Sequence, residues 1–203
     1  MSTNLTVKDN KLWQVAVHEA GHAVASVISA RAIFNNDRGF EHIVIATDGK
    51  GILSPTGMLT NGYCYVRHWW TPKTWTVPPE VDSNLRQGWC TPMEWEIVRC
   101  LAGGAAEIAT SGVTAKRAFR ETCMFSAPLS DDYRQAFAIL DDYKCLTRRS
   151  YGIHRFHDVT RIVVLQSLTA IEALAGELCR KGRIAFKQGM KIIEPHLPTL
   201  TVA

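Results

Sequence analysis

Two histidines and a glutamate stand in the middle of an otherwise apolar stretch, VAVHEAGHAVASVISA, which covers residues 15–30. His18 and His22 are four residues apart, so on a helix their imidazole rings lie on the same face, one turn apart. Two ring nitrogens about 2.0–2.1 Å from one zinc ion fit this geometry. The spacing therefore predicts a helix that binds one zinc ion, with His18 and His22 as two of its ligands.

Glu19 follows the first histidine directly, so its carboxylate is expected to stand beside the metal rather than on it. Zinc lowers the pKa of a bound water from roughly 15.7 to about 7 and polarises a carbonyl oxygen. A neighbouring carboxylate can take the proton of that water and pass it to the leaving amine. The pattern predicts Glu19 as a catalytic general base. The alternative is a pair of ordinary core histidines, which would leave an unpaired buried carboxylate at a cost of several kcal/mol.

A catalytic zinc ion usually has three protein ligands and one open position, so a third ligand is needed. No histidine follows His22 at the spacing of the longer H-E-x-x-H-x-x-G-x-x-H motif, because the next residues are AVASVISA. The third ligand must therefore come from elsewhere in the chain. The candidates are Glu107, Asp131, Asp132, Asp141, Asp142, His154 and His157.

The elements that must position these residues are mostly helical. Periodicity and capping residues predict helices over about 11–31, from a Thr-Pro-x-Glu start at Thr91 to about 112, from a Ser130 cap to about 145, over about 158–181 and over about 184–193. Strands are predicted at 42–46, near Ile52 and at 63–66, with a turn at Asp48-Gly49. This order predicts an α+β fold, mainly helical and zincin-like, with a small β-sheet beside the H-E-x-x-H helix.

The second predicted helix contains a run of very small residues, LAGGAAE, at positions 101–107. Two adjacent glycines inside a helix cost about 2 kcal/mol relative to alanine. Close packing of the zinc helix against this surface would compensate for that cost. Glu107 would then lie near the site and could accept the outer N–H of a ligand histidine. The alternative is that Glu107 is an exposed helix carboxylate.

Residues 67–91 form a long predicted connection that is rich in tryptophan and proline. A connection of this length is usually functional or disordered, and disordered segments are poor in aromatic residues. We expect it to pack on its own domain, or to border the zinc cleft or a subunit contact. The chain as a whole, residues 1–203, is predicted to be a single peptidase-like domain with this segment as an insertion.

The composition sets limits on location and partners. The 203 residues are 46% hydrophobic and 21% charged, which suits one globular domain. The net charge of +4 comes without a dense Lys/Arg block, so no nucleic-acid partner is expected. The polar start MSTNLTVKDN is unlike a signal peptide, and no apolar run reaches the roughly 18 residues of a membrane span. We expect a cytoplasmic protein with reduced cysteines.

Three motifs in order resemble the peptidase domain of the FtsH-type ATP-dependent zinc proteases. They are HEAGHA at 18–23, LAGGAAE at 101–107 and SDDYRQA at 130–136, with a weaker similarity in YGI at 151–153. The family's third zinc ligand is an aspartate in the last of the three. Aligning on Ala136, four residues later, the resemblance implies Asp132 rather than Asp131 as that ligand.

The chain departs from the family in several places. It has Gly104 where the family usually has arginine, and Ile108 where the family has a second glutamate. It contains no G-x-x-x-x-G-K-[ST] phosphate loop and has no room for an ATPase domain. The resemblance therefore implies a peptidase domain that stands alone and works without ATP as an isolated chain.

The expected activity is hydrolysis of peptide bonds in peptides or unfolded protein segments. An extended substrate could add as a strand to the edge of the small sheet, at 42–46 or 63–66. Two other functions fit the same motifs: a zinc hydrolase of non-peptide amides, and a catalytically inactive or regulatory zinc-binding homologue. The sequence leaves open a homo-oligomer and an ATPase partner that acts in trans.

Overall fold

The computed structural model describes residues 11–34, 39–66, 83–126, 130–147 and 151–198. The helices are α1 (Lys11–Phe34), α2 (Ser83–Thr110), α3 (Lys116–Ser126), α4 (Asp131–Thr147), α5 (Ile153–Gln166), α6 (Leu168–Lys181) and α7 (Phe186–Ile193), followed by a 3-10 turn at Glu194–His196. The strands are β1 (His42–Ile45), β2 (Ile52–Leu53), β3 (Leu59–Thr60), β4 (Gly62–Tyr65) and β5 (Arg183–Ala185). The predicted class, a mainly helical α+β fold with a small sheet, is confirmed.

The main sheet has three antiparallel strands in the order β4-β1-β5. In its register His42 lies opposite both Tyr65 on β4 and Ala185 on β5. Strands β2 and β3 form a separate small hairpin. Because β1 is paired on both sides, it has no free edge, and the prediction that a substrate could add to residues 42–46 is wrong. Strand β4 has one partner among the described strands, so its outer side remains an edge.

Helix α1 lies at the centre of the core. Every residue from Glu19 to Ala30 is buried, because α1 packs against α2 on one side and against α6, β1 and β4 on others. A helix that is apolar on all faces is stable only when it is covered on all faces. Glu19 and His22 are therefore held in a rigid, largely dry environment, while His18 is partly exposed.

Helices α1 and α2 approach closely at Gly21. A Cβ atom added to Gly21 would lie 2.6 Å from the carbonyl oxygen of Ala102 and 2.8 Å from the Cβ of Ala106. The prediction that the small-residue helix packs closely on the first helix is confirmed. The alanines of α2 are buried in this contact, and their small side chains let the two backbones approach.

The predicted start of the second helix at Thr91 is wrong, because α2 begins at Ser83 and carries Pro92 in its interior. A proline removes one helical hydrogen bond and strains the preceding turn, but a helix can continue through it when flanking turns hold. Thr-Pro-x-Glu is therefore compatible with a helix start without requiring one. Residues 83–91 of the predicted connection are helical, and residues 67–82, with Trp69, Trp70 and Trp75, lie outside the described residues.

Three other elements differ from the predictions. Helix α3 was not predicted, because among its described side chains only Phe119 and Cys123 are buried and most of the others are polar. The predicted helix over 158–181 is two helices, α5 and α6, which bend by 71° around Ser167. The apolar periodicity continues across this one-residue break, so it could not reveal the bend. Strand β5 was missed since three residues are too few to show alternation.

Within the described residues, no single helix is both long and apolar enough to cross a bilayer, and α5 and α6 meet that test only as a bent pair. Five cysteines with described side chains are free thiols: Cys64, Cys100, Cys123, Cys145 and Cys179. Cys100 and Cys123 are buried in the core.

The contact at Gly21 leads to a stability prediction. Gly21→Ala should lower the free energy of unfolding by about 1–3 kcal/mol, because its methyl group would overlap the Ala102 carbonyl. Gly176→Ala is the matched control, since this helical glycine is exposed with no atom within 4 Å of an added Cβ. That control should be neutral or gain up to about 1 kcal/mol. Urea unfolding with chelator present would measure both, and equal stabilities would contradict the close contact.

Candidate metal centre

Three side-chain atoms from two distant parts of the chain converge at one point. His18 Nε2 lies 3.0 Å from Asp132 Oδ2, and His22 Nε2 lies 3.3 Å from the same oxygen. The two Nε2 atoms are 3.1 Å apart. Helix α1 supplies both histidines and the first turn of α4 supplies the aspartate. We call His18, His22 and Asp132 the donor triad, a group that could hold a metal ion.

The outer nitrogens of both rings are engaged elsewhere. His22 Nδ1 donates to the backbone carbonyl of Arg99 at 2.8 Å, and His18 Nδ1 donates to Glu107 Oε1 at 2.5 Å. In a neutral imidazole one nitrogen carries the hydrogen and the other carries a lone pair. These contacts therefore turn both Nε2 lone pairs toward the carboxylate of Asp132, so three electron-pair donors face one another.

Such a group needs a positive charge in its centre. Burial disfavours the charged ring of His18, but its hydrogen bonds to Asp132 and Glu107 outweigh this and raise the pKa of His18 well above its ordinary value. Burial alone would raise the pKa of Asp132, but its interactions with the two histidines lower this pKa far below the usual range. One proton on His18 can point at Asp132 but not also at His22. A cation can contact all three donors.

The spacing of the donor triad suits zinc. Bonds of about 2.0–2.1 Å in a tetrahedral site imply ligand atoms about 3.3 Å apart. The three observed separations, 3.0, 3.1 and 3.3 Å, are close to that value. Two imidazoles and one carboxylate are also a common donor set for zinc. The residues present therefore fit the ion that the sequence predicts.

Gly103 forms the floor under the two imidazoles. A Cβ atom at this position would lie 2.5 Å from His22 Nε2 and 2.6 Å from His18 Nε2. Any side chain would therefore occupy the space between the rings and α2. Its neighbour Gly104 is exposed and has no atom within 4 Å of an added Cβ. Of the two glycines, only Gly103 is required by packing.

Glu19 lies outside the donor triad, between α1 and β4. It is 7% exposed, and the backbone of Cys64 donates a hydrogen bond to its carboxylate. A Cβ atom on Gly62 would lie 3.1 Å from Glu19 Oε1, so β4 passes directly beside this group. Burial raises the pKa of Glu19, while the charges of His18 and His22 oppose the rise. The carboxylate is thus desolvated and next to the triad without being part of it.

The remaining candidate ligands are not part of the donor triad. Asp131, beside Asp132, has a side chain that is 67% exposed and forms an ion pair with Arg134. Ser130 Oγ accepts a hydrogen bond from the backbone N–H of Tyr133, which confirms the predicted helix start at Ser130. Asp141, Asp142 and His154 are exposed, and His157 is buried on α5. Glu107 contacts His18, as the first of the two sequence alternatives for this residue expects.

Sequence reasoning missed several parts of the site. The Arg99 carbonyl that orients His22 is a backbone group and leaves no trace in the residue types. The Cys64 N–H that contacts Glu19 is hidden for the same reason. The glycine pair was recognised as a sign of close packing, but the residue types do not tell which of Gly103 and Gly104 faces the imidazoles.

A cleft of about 560 Å³ opens beside the donor triad, between α1, α2, α3, α4 and α5. His18, Glu107 and Asp132 line it where it meets the triad. Its apolar lining includes Leu101, Ala105, Ile108, Phe119 and Cys123, and its polar lining includes Gln14, Thr110, Ser130, Tyr133, His157 and Thr160. Its volume is that of a pocket for a small molecule or an amino-acid side chain.

No protein-family model matches this chain, and no curated protein matches it in sequence. The similarity of HEAGHA, LAGGAAE and SDDYRQA to the FtsH-type peptidases therefore remains a similarity of short motifs. The roles of His18, His22, Glu19, Asp132 and Glu107 remain predictions, supported by the geometry described above.

The two adjacent aspartates allow a direct test of the donor triad. Protein purified without chelator or histidine tag and then given zinc should hold about one zinc ion per chain. His18→Ala and His22→Ala should lose it because each removes one donor atom, and Asp132→Asn should lose it because a neutral amide oxygen is a much weaker ligand than a carboxylate. Asp131→Asn is the matched control and should retain it. Metal analysis by plasma mass spectrometry would decide, and a wild-type protein without zinc would refute the site.

The adjacent glycines allow a second test. Gly103→Ala should weaken zinc binding by about tenfold or more, because the added methyl group displaces both imidazoles from their positions. Gly104→Ala adds the same methyl group one residue away and should leave the zinc affinity unchanged. Competition with a fluorescent zinc chelator would measure both affinities. Equal affinities in the two variants would show that the floor under the rings is not rigid.

Proposed function

We propose that this chain is a zinc-dependent peptidase of the FtsH-like type, which hydrolyses peptide bonds in peptides or unfolded protein segments. His18, His22 and Asp132 would hold one zinc ion. The observation that carries the proposal is the convergence of three electron-pair donors beside a buried carboxylate, Glu19, that is not among them. A structural metal site needs the donors alone and has no use for such a carboxylate.

The chemical role of each residue follows from the position of its side chain. When bound, zinc supplies Lewis acidity toward the scissile carbonyl and toward water. Glu19 accepts the proton of the attacking water and returns it to the nitrogen of the leaving amine. Glu107 and the Arg99 carbonyl hold the two imidazoles in the ring orientation and tautomer that present Nε2 to the metal. Gly103 keeps the space beneath them free.

The outer edge of β4 offers a place for an extended substrate. Ala46 N–H donates to the carbonyl of Asn61, so these two opposite residues form a hydrogen-bonded pair between β1 and β4. In an antiparallel ladder, hydrogen-bonded and non-hydrogen-bonded pairs alternate along the strands. The Ile43–Cys64 pair is therefore non-hydrogen-bonded, and the backbone N–H and carbonyl of Cys64 point away from β1. A peptide that adds along this edge passes beside Glu19, because the Cys64 N–H already contacts that carboxylate. This arrangement favours a peptide over a small non-peptide amide.

Glu19→Gln separates the catalytic role from the metal site. The variant should retain zinc, because Glu19 is not in the donor triad, and should hydrolyse peptides about 10²–10⁴-fold more slowly. Glu121→Gln on α3 is the control, since this exposed glutamate forms an ion pair with Arg117, and the variant should keep full activity. The measurement is cleavage of a quenched fluorescent peptide pool by zinc-loaded protein.

The outcomes distinguish the three functions suggested by the sequence. Zinc with peptide cleavage that depends on Glu19 supports the peptidase. Zinc without cleavage of peptides or of non-peptide amides would indicate a binding or regulatory protein. A fully active Glu19→Gln variant would refute the proposed general base while leaving the metal site intact.

A further inference from the structure

The hairpin of β2 and β3 carries the most exposed large apolar side chains among the described residues. Leu53 is 70% exposed, Leu59 is 71% exposed and Met58 is 56% exposed. Leu53 and Leu59 lie directly opposite each other in the β2–β3 ladder, so both project from the same face of the hairpin. Single exposed leucines are common, but a group of large apolar side chains on one short element marks a binding surface. We call these three residues the hairpin patch.

The backbone of the hairpin is fixed by its own hydrogen bonds. Ser54 N–H donates to the Met58 carbonyl at 2.8 Å, and Gly57 N–H donates to the Ser54 carbonyl at 2.9 Å. Gly57 has a φ of +79°, a left-handed conformation that glycine adopts without strain. Leu59 lies over Gly51, where an added Cβ would be 3.1 Å from Leu59 Cδ1. The leucines are therefore presented to solvent by a defined turn.

The hairpin directly precedes the strand whose outer edge offers a place for substrate. Only Asn61 separates β3 from β4, so the two strands follow each other almost without a break. A Cβ atom on Gly62, the first residue of β4, would lie 3.1 Å from Glu19 Oε1. At about 3.3 Å per residue, a polypeptide extended along this edge from Cys64 comes alongside Leu59 after roughly five residues.

The chemistry and the size of the patch select among possible partners. Residues 51–62, GILSPTGMLTNG, contain no charged side chain, so the patch offers no counter-charge to a nucleic acid or an anionic lipid. Three side chains on one hairpin expose far less than the roughly 800 Å² per partner that a standard protein interface buries. A polypeptide that is also held along β4 needs no such area, because the second contact adds to the first.

We propose that the hairpin patch is a second binding site for substrate, which holds apolar side chains of an unfolded polypeptide about four to six residues from the cleaved bond. The proposal rests on the proposed peptidase function and on the outer edge of β4 as the path of the substrate. Large aliphatic and aromatic side chains are the ligands, and these are the side chains that folding buries. The patch would therefore favour unfolded segments over folded proteins.

The test uses three quenched fluorescent peptides that share one short central core. The first is the core alone, the second carries leucines on both sides at the proposed distance, and the third carries serines at the same positions. Zinc-loaded protein should cleave the leucine peptide with a kcat/KM about tenfold above that of the serine peptide, mainly through a lower KM. Equal values for the two long peptides would refute the patch and leave the peptidase standing.

Paired variants separate the chemistry of the patch from its shape. Leu53→Thr with Leu59→Thr should lower the kcat/KM of the leucine peptide to that of the serine peptide and leave cleavage of the core unchanged. Leu53→Ile with Leu59→Ile is equally branched at Cβ but apolar, and should keep the preference. Val159→Thr with Ile162→Thr on α5 is the matched control, because both residues are exposed and neither lines the cleft. Loss of the preference in the isoleucine pair or the control, or an equal loss for all three peptides in the threonine pair, would overturn the proposal.

A binding measurement separates the patch from the chemistry. The zinc-loaded Glu19→Gln protein should bind the labelled leucine peptide about tenfold more tightly than the serine peptide, and the threonine pair added to it should remove the difference. Preferred binding without cleavage by the wild-type protein supports the patch and refutes the peptidase, whereas equal binding refutes the patch. A wild-type protein that dimerises or sediments with phosphatidylcholine vesicles, and loses this property in the threonine pair, would assign the leucines to a second copy or to lipid and refute the proposal.

Discussion

The close approach of α1 and α2 is the constraint on which the rest of this structure depends. At Gly21 the backbone of α1 lies against the Ala102 carbonyl, and at Gly103 the backbone of α2 lies against both imidazoles. The same contact brings the Arg99 carbonyl and Glu107 within hydrogen-bond distance of the outer ring nitrogens. The helix packing and the site geometry therefore depend on each other. A larger separation of α1 and α2 would remove the hydrogen bonds from the imidazoles to the Arg99 carbonyl and to Glu107.

The sequence predicted those parts of the molecule that depend on short-range patterns. The i, i+4 spacing of His18 and His22 fixes a shared helical face, and Ser130 marks a helix start because its side chain can cap one. The small-residue run in α2 predicted the close contact because its two glycines are costly inside a helix unless a neighbouring helix uses the space. These inferences need only a few residues and one physical rule each.

Other features depend on the tertiary structure and could not be predicted from residue types. Pro92 lies inside α2 although a proline after threonine also suits a helix start, and only the surrounding packing decides between the two. The break at Ser167 leaves the apolar periodicity almost in phase, so α5 and α6 resemble one helix in sequence. Residue types alone do not select Asp132 over Asp131, because the choice depends on which side of the first turn of α4 faces α1.

The donor triad joins residues that are 110 and 114 positions apart in the chain, so a bound ion links the ends of a long loop. An unfolded chain cannot hold these three atoms together, and binding therefore draws the equilibrium toward the native state. A ligand at a hundred times its dissociation constant adds about 2.7 kcal/mol to the free energy of unfolding. An ion bound at the donor triad would thus also stabilise the folded chain, so the folded fraction of the protein would depend on the supply of that ion.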